Sequence, residues 1–256
     1  MQKYSIFTAH KCRMTKDTTQ WFASWFDTPY YHILYKDRDH TEAQAFMDAL
    51  TYYLNLPEQG KILDLACGKG RHSIYLNSLG YHITGADLSE SSIAYAKQFE
   101  NENLHFKMHD MCEPFGESFD AVFNLFTSFG YFEKEDDNLK TIKAIKNDLN
   151  ETGFGVIDFM NVNHVIENLV AEDTKLIDGI TFHQKRSVED GYIVKDISFE
   201  VEGKDYNFQE RVRAFTLRDF ETLFEEAGCY LLDVFGDYKL RKYDKNFSER
   251  LVMIFK

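Results

Sequence analysis

Residues 61–73, KILDLACGKGRHS, constrain the fold more than any other stretch of the chain. An apolar run ends in an acid, turns at once through Gly68 and Gly70, and enters a helical pattern, which predicts strand, tight turn and helix start in immediate succession. Glycine reaches backbone angles closed to other residues and, having no side chain, lets a ligand lie against the chain. Asp64 stands at the carboxyl end of the predicted strand, and Asp87 and Asp110 end or follow the next two apolar runs. Carboxylates at three successive strand ends predict a site for a nucleoside-bearing ligand.

A glycine-rich turn also serves dinucleotides, through G-x-G-x-x-G with an acid about 20 residues further on. Here Ser73 stands where the third glycine would, and Asp64 would repel a pyrophosphate. S-adenosyl-L-methionine carries an ammonium and a sulfonium and would not be repelled. At these residues the chain resembles the class I S-adenosylmethionine-dependent methyltransferases, whose first motif is an acid followed by alternating glycines. The match runs Asp64, Ala66, Gly68, Gly70, with alanine replacing the first glycine. The resemblance implies cofactor contacts along Asp64, Ala66, Cys67, Gly68, Gly70 and Arg71, with Arg71 and His72 as candidates for an anionic group.

The second predicted strand, YHITGADLS, ends in Asp87, whose two oxygens suit the adjacent hydroxyls of a ribose. Leu88 would then lie beside the adenine, and Ser89 is placed to cap the next helix. The third, LHFKMHDM, leads to Asp110, which the resemblance makes an acceptor for the adenine amino group, with the backbone of Met111 at the ring edge; a plain surface turn is the alternative. The fourth, FDAVFNLFTSFGYF, brings Leu125 to the carboxyl edge of the sheet, where the resemblance implies backbone contact with the cofactor's methionine portion. Phe126, Thr127, Phe129 and Tyr131 either wall a reaction chamber or pack as core.

Strand and helix patterns alternate from 61 to 159, which predicts a doubly wound parallel α/β sheet. Leu139, Ile142, Ile145 and Leu149 recur at helical spacing, and Glu151-Thr152-Gly153 reads as a turn into a fifth strand. Thr216 and Asp219 form a capping box that opens a helix closed by Gly228. The resemblance implies a Rossmann-like seven-stranded sheet of order 3-2-1-4-5-7-6 with the last strand antiparallel. Residues 15–160 and 216–256 are assigned to that domain and residues 161–215 to a small antiparallel insert, with strands expected over 180–187, 192–201 and 207–215. Similar sugar N-methyltransferases carry such an insert as a substrate cover; a dimer interface is the alternative, and the chain is expected to be a monomer or homodimer.

Near the N-terminus, Trp21, Phe22, Trp25 and Phe26 share one helical face and predict a lid helix packed on the core, while residues 1–14 are expected to be a leader or to precede the true start at Met14. The resemblance makes Tyr35, with Tyr31 beside it, a neighbour of the sulfonium; aromatic packing explains the same pattern. The formal charge of −13, without a basic stripe, argues against a nucleic-acid substrate. The four cysteines, at 12, 67, 112 and 229, have no zinc spacing and read as free thiols of a cytoplasmic protein. No metal and no membrane contact is expected, and His105 and His109 read as a solvated strand face with Lys107. The expected function is methyl transfer from S-adenosyl-L-methionine to a small-molecule acceptor, with no residue assigned as catalytic base; His164 and Asn161 could orient the acceptor. A non-catalytic cofactor-binding protein and a nicotinamide-dependent oxidoreductase are the other readings.

Overall fold

The computed structural model describes residues 25–36 and 40–256. The predicted leader, Met14, Cys12, Trp21 and Phe22 lie outside the described residues. After the helical residues 25–26 come α1 (Pro29–Leu34) and α2 (His40–Leu54), followed by β1 (Lys61–Leu65), α3 (Arg71–Ser78), β2 (His82–Asp87), α4 (Glu90–Ala96) and β3 (Leu104–Met108). The second half of the winding is β4 (Phe119–Asn124), α5 (Glu135–Asp148), β5 (Leu149–Met160), α6 (Val162–Glu167), α7 (Leu217–Ala227), β10 (Leu231–Phe235) and β11 (Arg250–Phe255). Between α6 and α7 run four strands, β6 (Glu172–Ile177), β7 (Ile180–Glu189), β8 (Tyr192–Val201) and β9 (Lys204–Arg213).

One sheet has the order β10-β11-β5-β4-β1-β2-β3, parallel except for β11, which is antiparallel to both β5 and β10. Counted within that sheet, this is the order 3-2-1-4-5-7-6. Helices cover both faces because both faces of the strands are apolar. Phe46, Met47, Leu50 and Leu54 of α2 join Leu76 of α3 and Ile93 of α4 in one buried cluster, while Ile142 and Ile145 of α5 join Phe220 and Phe224 of α7 in the other. Thr216 accepts from the Asp219 amide and Asp219 reaches back to the Thr216 amide, and Gly228 stops α7 in a left-handed conformation (φ 69°), as the sequence predicts.

The second sheet is a four-stranded antiparallel meander, β6-β7-β8-β9, one strand more than expected. The missed signal is Asp178-Gly179. Like Asp190-Gly191 and Glu202-Gly203, this pair takes positive φ at both central positions (49° and 80°), the geometry of a two-residue hairpin matched to strand twist. Helix α6 was likewise not anticipated. Glu151 to Gly153 do not turn the chain; they lie inside β5, where the pairing jumps from Phe119↔Leu149 to Ala121↔Phe154. On β3, Met108 is exposed with His105 and Lys107, because the strand ends there at the sheet edge.

Close approach at one point in the sheet is tight enough to test. A Cβ built on Gly155 of β5 would lie 2.4 Å from the buried Phe255 ring of β11. Gly155→Ala is therefore expected to destabilise the protein by about 1–3 kcal/mol, the usual range for overpacking, read as a lower urea midpoint with an unchanged slope.

Candidate cofactor site

The chain must turn sharply where β1 hands over to α3, and it does so by placing alternate residues in the left-handed region: Ala66 at φ 60°, Gly68 at 55° and Gly70 at 80°. This explains why alternating glycines suit the motif, and what alanine at 66 costs, about 1–2 kcal/mol of backbone strain. The turn is held by Cys67, whose amide donates to the Ala86 carbonyl (3.0 Å) and whose carbonyl accepts from the Gly70 amide (3.0 Å). Gly68 donates its amide to Asp87 Oδ2 at 2.8 Å, so the second strand's terminal carboxylate reaches directly onto the first turn. Asp87 Oδ1 accepts from the Ser89 amide at 2.8 Å, and Ser89 caps α4 by accepting from the Ser92 amide. Each oxygen of Asp87 thus keeps a lone pair for a further donor.

Asp64 is wholly enclosed and accepts a hydrogen bond from Ser73 Oγ at 2.6 Å. Burial pushes its carboxyl up to about 7, opposed by the Ser73 hydroxyl, with the charge of Asp87 adding to the rise. Ser73, at the place of a dinucleotide motif's third glycine, serves this carboxylate. The close helix–sheet approach that such a glycine would allow comes from Gly85 of β2, where a Cβ would sit 2.9 Å from Ser73 Oγ and 2.5 Å from the Phe106 ring. The sequence reading passed over Gly85, although a glycine inside a strand pattern marks close approach.

At the exit of β4, Leu125 is buried and Phe126 and Thr127 both take positive φ (56° and 60°). Asp158 of β5 holds them there, accepting from the Phe126 amide through its carboxylate (2.8 Å) and from the Thr127 amide through its backbone carbonyl (3.0 Å). Arg250 of β11 pairs with Asp158 at 2.8 Å and donates to Thr127 Oγ1 at 2.9 Å. Burial works against the Arg250 charge, and the Asp158 carboxylate overrides it. The Phe126 ring stacks on His72 (centroids 4.6 Å apart, 8° between planes) with the Arg71 guanidinium 5.1 Å from the ring centroid. Neither Asp158 nor Arg250 was singled out from the sequence, because their pairing joins residues 92 apart.

The structure brings Asp64, Ala66, Cys67, Gly68, Gly70, Arg71 and Asp87 into one crevice at the carboxyl edge of the sheet, with Leu125 at the next strand exit. Leu88 is half exposed beside it. Asp110 is exposed and its Oδ1 accepts from the Cys112 amide, while Met111 packs against the core beside Asn124. Asn124, also unanticipated, is fully buried at the end of β4 with its Oδ1 lacking a partner, which leaves one acceptor atom there. The Tyr35 hydroxyl donates to Glu210 (2.7 Å) and accepts from Lys195 (2.6 Å) on the insert. Phe129 is core, and Asn161 is bound to the Lys245 and Ser248 carbonyls. Trp25 donates to Glu210 (2.8 Å), Phe26 meets Tyr131 edge-on (5.4 Å), and Asp27 accepts from Ser89 Oγ (2.6 Å). The N-terminal segment thereby bridges the insert and the start of α4.

These residues fit a cofactor with a cationic head and a ribose. Two carboxylates flank the turn, and a Cβ on Gly68 would meet no atom of the described residues within 4 Å. Among the described residues, no cluster of His, Cys, Asp and Glu could hold a metal, Cys67, Cys112 and Cys229 are free thiols, and no helix is long and apolar enough to cross a membrane.

Comparison with known proteins points to the same family. A family model described as a methyltransferase domain matches residues 62–153. The Bacillus subtilis (strain 168) protein named "Putative methyltransferase YqeM" is 30% identical over 215 residues, covering 78% of this chain and 86% of that protein. In fold, the chain is similar to an S-adenosylmethionine-dependent methyltransferase from Clostridium acetobutylicum ATCC 824 (TM-score 0.76, 24% identity, 89% of this chain and 95% of that one). It is also similar in fold to CalS10, an amino pentose methyltransferase from Micromonospora echinaspora solved with S-adenosylmethionine bound (TM-score 0.69, 18% identity, 89% and 96%).

An acid whose native pKa lies above its unfolded value favours the fold while protonated. The contribution of Asp64 is therefore complete below about 4 and lost as pH rises through about 7. A cationic head group favours the ionised form, so the two demands oppose each other. The dissociation constant for S-adenosylmethionine is expected to be flat just above pH 7 and to rise about tenfold per unit below it, and Asp64→Asn should flatten the profile; calorimetric titration between pH 5.5 and 7.5 measures both.

Proposed function

Since the chain belongs to the class I S-adenosylmethionine-dependent methyltransferases, we propose that it transfers the cofactor's methyl group to a small-molecule acceptor by in-line displacement. The observation that carries the proposal is the pair of carboxylates, buried Asp64 and half-buried Asp87, set on either side of a glycine turn whose Gly68 faces no described residue. In this reading Asp64 balances the cofactor's charged head and the free lone pairs of Asp87 take the ribose hydroxyls. Asp110, the backbone of Met111 and the unpartnered Asn124 Oδ1 receive the adenine edge, and Leu88 lies on its face. The Leu125 backbone, Arg71 and His72 hold the methionine end.

The bound cofactor supplies a methyl group already activated on sulfur, with a neutral thioether as leaving group. The chain's own task is alignment, which can lower a barrier by about 7–11 kcal/mol. Asp158 and Arg250 serve it by fixing the left-handed Phe126-Thr127 pair, which sets where the β4 exit stands. No described residue is assigned here as a general base, and an acceptor amine that sheds its proton before transfer would need none. The insert and the segment around Trp25 act as the acceptor's cover, supported by the bridge that Trp25, Phe26 and Asp27 make from Glu210 to Ser89. A net charge of −13 favours a small molecule over nucleic acid, and the three free thiols among the described residues are consistent with the cytoplasm.

Asp87→Ala is expected to cost about 1.5–3 kcal/mol of S-adenosylmethionine affinity, the scale of hydrogen bonds to a charged group, by calorimetry; unchanged affinity would remove the ribose assignment. Incubation with methyl-labelled cofactor and a panel of small amines and alcohols should yield a labelled product. Tight cofactor binding with no acceptor labelled would turn the assignment to a non-catalytic binding protein, and NADH is expected not to bind.

A further inference from the structure

The insert turns one face toward the N-terminal segment, and the rows of side chains across that face differ in kind. At one end Ile193 of β8 and Val212 of β9 join the main core. At the other, Phe182, Ile197 and Phe199 pack with Phe208 under Trp25 and Leu34. Next to Ile193 and Val212 on this face come Arg186 of β7, Lys195 of β8 and Glu210 of β9, and then Asp173 of β6 and Gln184 of β7 opposite Ile197, placed by the pairings Arg186↔Lys195, Lys195↔Glu210, Asp173↔Gln184 and Gln184↔Ile197; Lys175 of β6 lies opposite Phe182.

Polar groups in an apolar face cost free energy unless they are paired, and most of these are. Arg186 pairs with Asp173 (3.0 Å) and donates to Gln184 Oε1 (3.1 Å). Glu210 accepts from Trp25 Nε1 and the Tyr35 hydroxyl, and Lys195 donates to Tyr35 while standing 3.6 Å from Glu210. Two sets of donors remain. Gln184 is 1% exposed and its Nε2 has no partner. Arg186 holds the amide oxygen, so the amide cannot be turned over to relieve it. Lys195, with three N–H groups, is mostly buried, and burial together with the nearby cations Arg186 and Lys175 weakens its hold on the proton against the pull of Glu210. Arg186 and Lys195 face Asp173 and Glu210 here, and the exposed Lys175 beside Phe182 adds one more positive charge within electrostatic reach, in a chain whose net charge is −13.

We propose that this polar row is the acceptor's anchoring subsite and that the acceptor carries a carboxylate, held between Gln184 Nε2 and Lys195 Nζ. The inference rests on the reading of the chain as a small-molecule methyltransferase. Gln184 and Lys195 are diagonal neighbours on adjacent strands and one face, about 7–8 Å apart at the backbone, a spacing at which one carboxylate meets both side-chain tips. A single excess positive charge matches a monoanion better than a phosphate dianion. The place is also suitable. Val212, two residues along β9 from Glu210, lies 3.4 Å from a Cβ built on Gly130, and the Arg213 amide donates to the Gly130 carbonyl at 2.8 Å. The row therefore begins about 7 Å from the loop that leaves β4, and an acceptor anchored by its carboxylate presents its other end to the crevice.

The test uses the full chain saturated with S-adenosylhomocysteine and three acid–amide pairs: glycine and glycinamide, β-alanine and β-alaninamide, 4-aminobenzoate and 4-aminobenzamide. At least one acid is expected to bind calorimetrically at least thirtyfold more tightly than its amide. Gln184→Glu keeps the shape and the Arg186 partner but repels an acid, and should abolish that preference while leaving S-adenosylhomocysteine affinity within twofold. Lys195→Met should weaken the acid at least tenfold; should it fail to fold, Gln184→Glu decides alone. Binding of no acid, equal binding of acid and amide, or a Gln184→Glu protein with the preference intact overturns the subsite and leaves the cofactor reading standing. Failure of S-adenosylhomocysteine itself to bind would overturn the reading on which the subsite rests.

Discussion

The hydrogen bond from the Gly68 amide to the Asp87 carboxylate joins the two parts of the chain on which the crevice depends. It crosses from the turn after β1 to the end of β2, and the same carboxylate takes the Ser89 amide at the start of α4. Parallel strands deliver their carboxyl ends to one edge, but pairing along the strands does not set how far a turn rises above that edge. A half-buried carboxylate accepting both amides does set it. Asp87 is raised by its burial, and the Ser89 and Gly68 amides pull the other way. The cost of enclosing the charge is thus met partly by groups that would otherwise be unpaired at a turn and a helix start.

The same device recurs at the other side of the crevice. Asp158 holds two consecutive non-glycine residues in the left-handed region, a conformation that persists only where its surroundings over-determine it. Arg250 closes the arrangement from the antiparallel strand β11. An antiparallel strand beside β5 brings its amino-terminal residue to the carboxyl edge of its neighbour, as the pairing Arg250↔Met160 shows. The reversal of the last strand is therefore what delivers a guanidinium to the site edge.

What could be read from the sequence was local. The glycine turn, the acids at strand ends, the capping box at Thr216 and the reversal to hairpins after 161 are each written within a few residues, and the sheet order followed from the resemblance they support. Where local signals were incomplete the reading slipped: Asp178-Gly179 is a hairpin signal in plain view, but the polar, exposed β6 gave it no apolar strand to precede it. Other features exist only through contacts far apart in the chain. Gly85 does the work of a missing glycine because Ser73 and Phe106 converge on it. The Tyr35 hydroxyl is bound by Glu210 and Lys195, residues that no spacing rule connects to it. Gln184 matters for what it lacks, and a missing partner is visible only in three dimensions.

The bond between Trp25 and Glu210 spans 185 positions. A ribosome adds roughly 5–20 residues per second, so about 10–40 s of synthesis separate the emergence of the aromatic segment from that of its carboxylate partner. During that interval Trp25, Phe26, Tyr30 and Tyr31 have no insert to rest on, while the glycine turn and its strands are already available to pair. The aromatic segment thus waits for the insert, and the crevice waits longer, since Arg250 follows Glu210 in the chain; the nascent chain passes through a stage with its densest apolar segment still exposed to whatever else is in the cell.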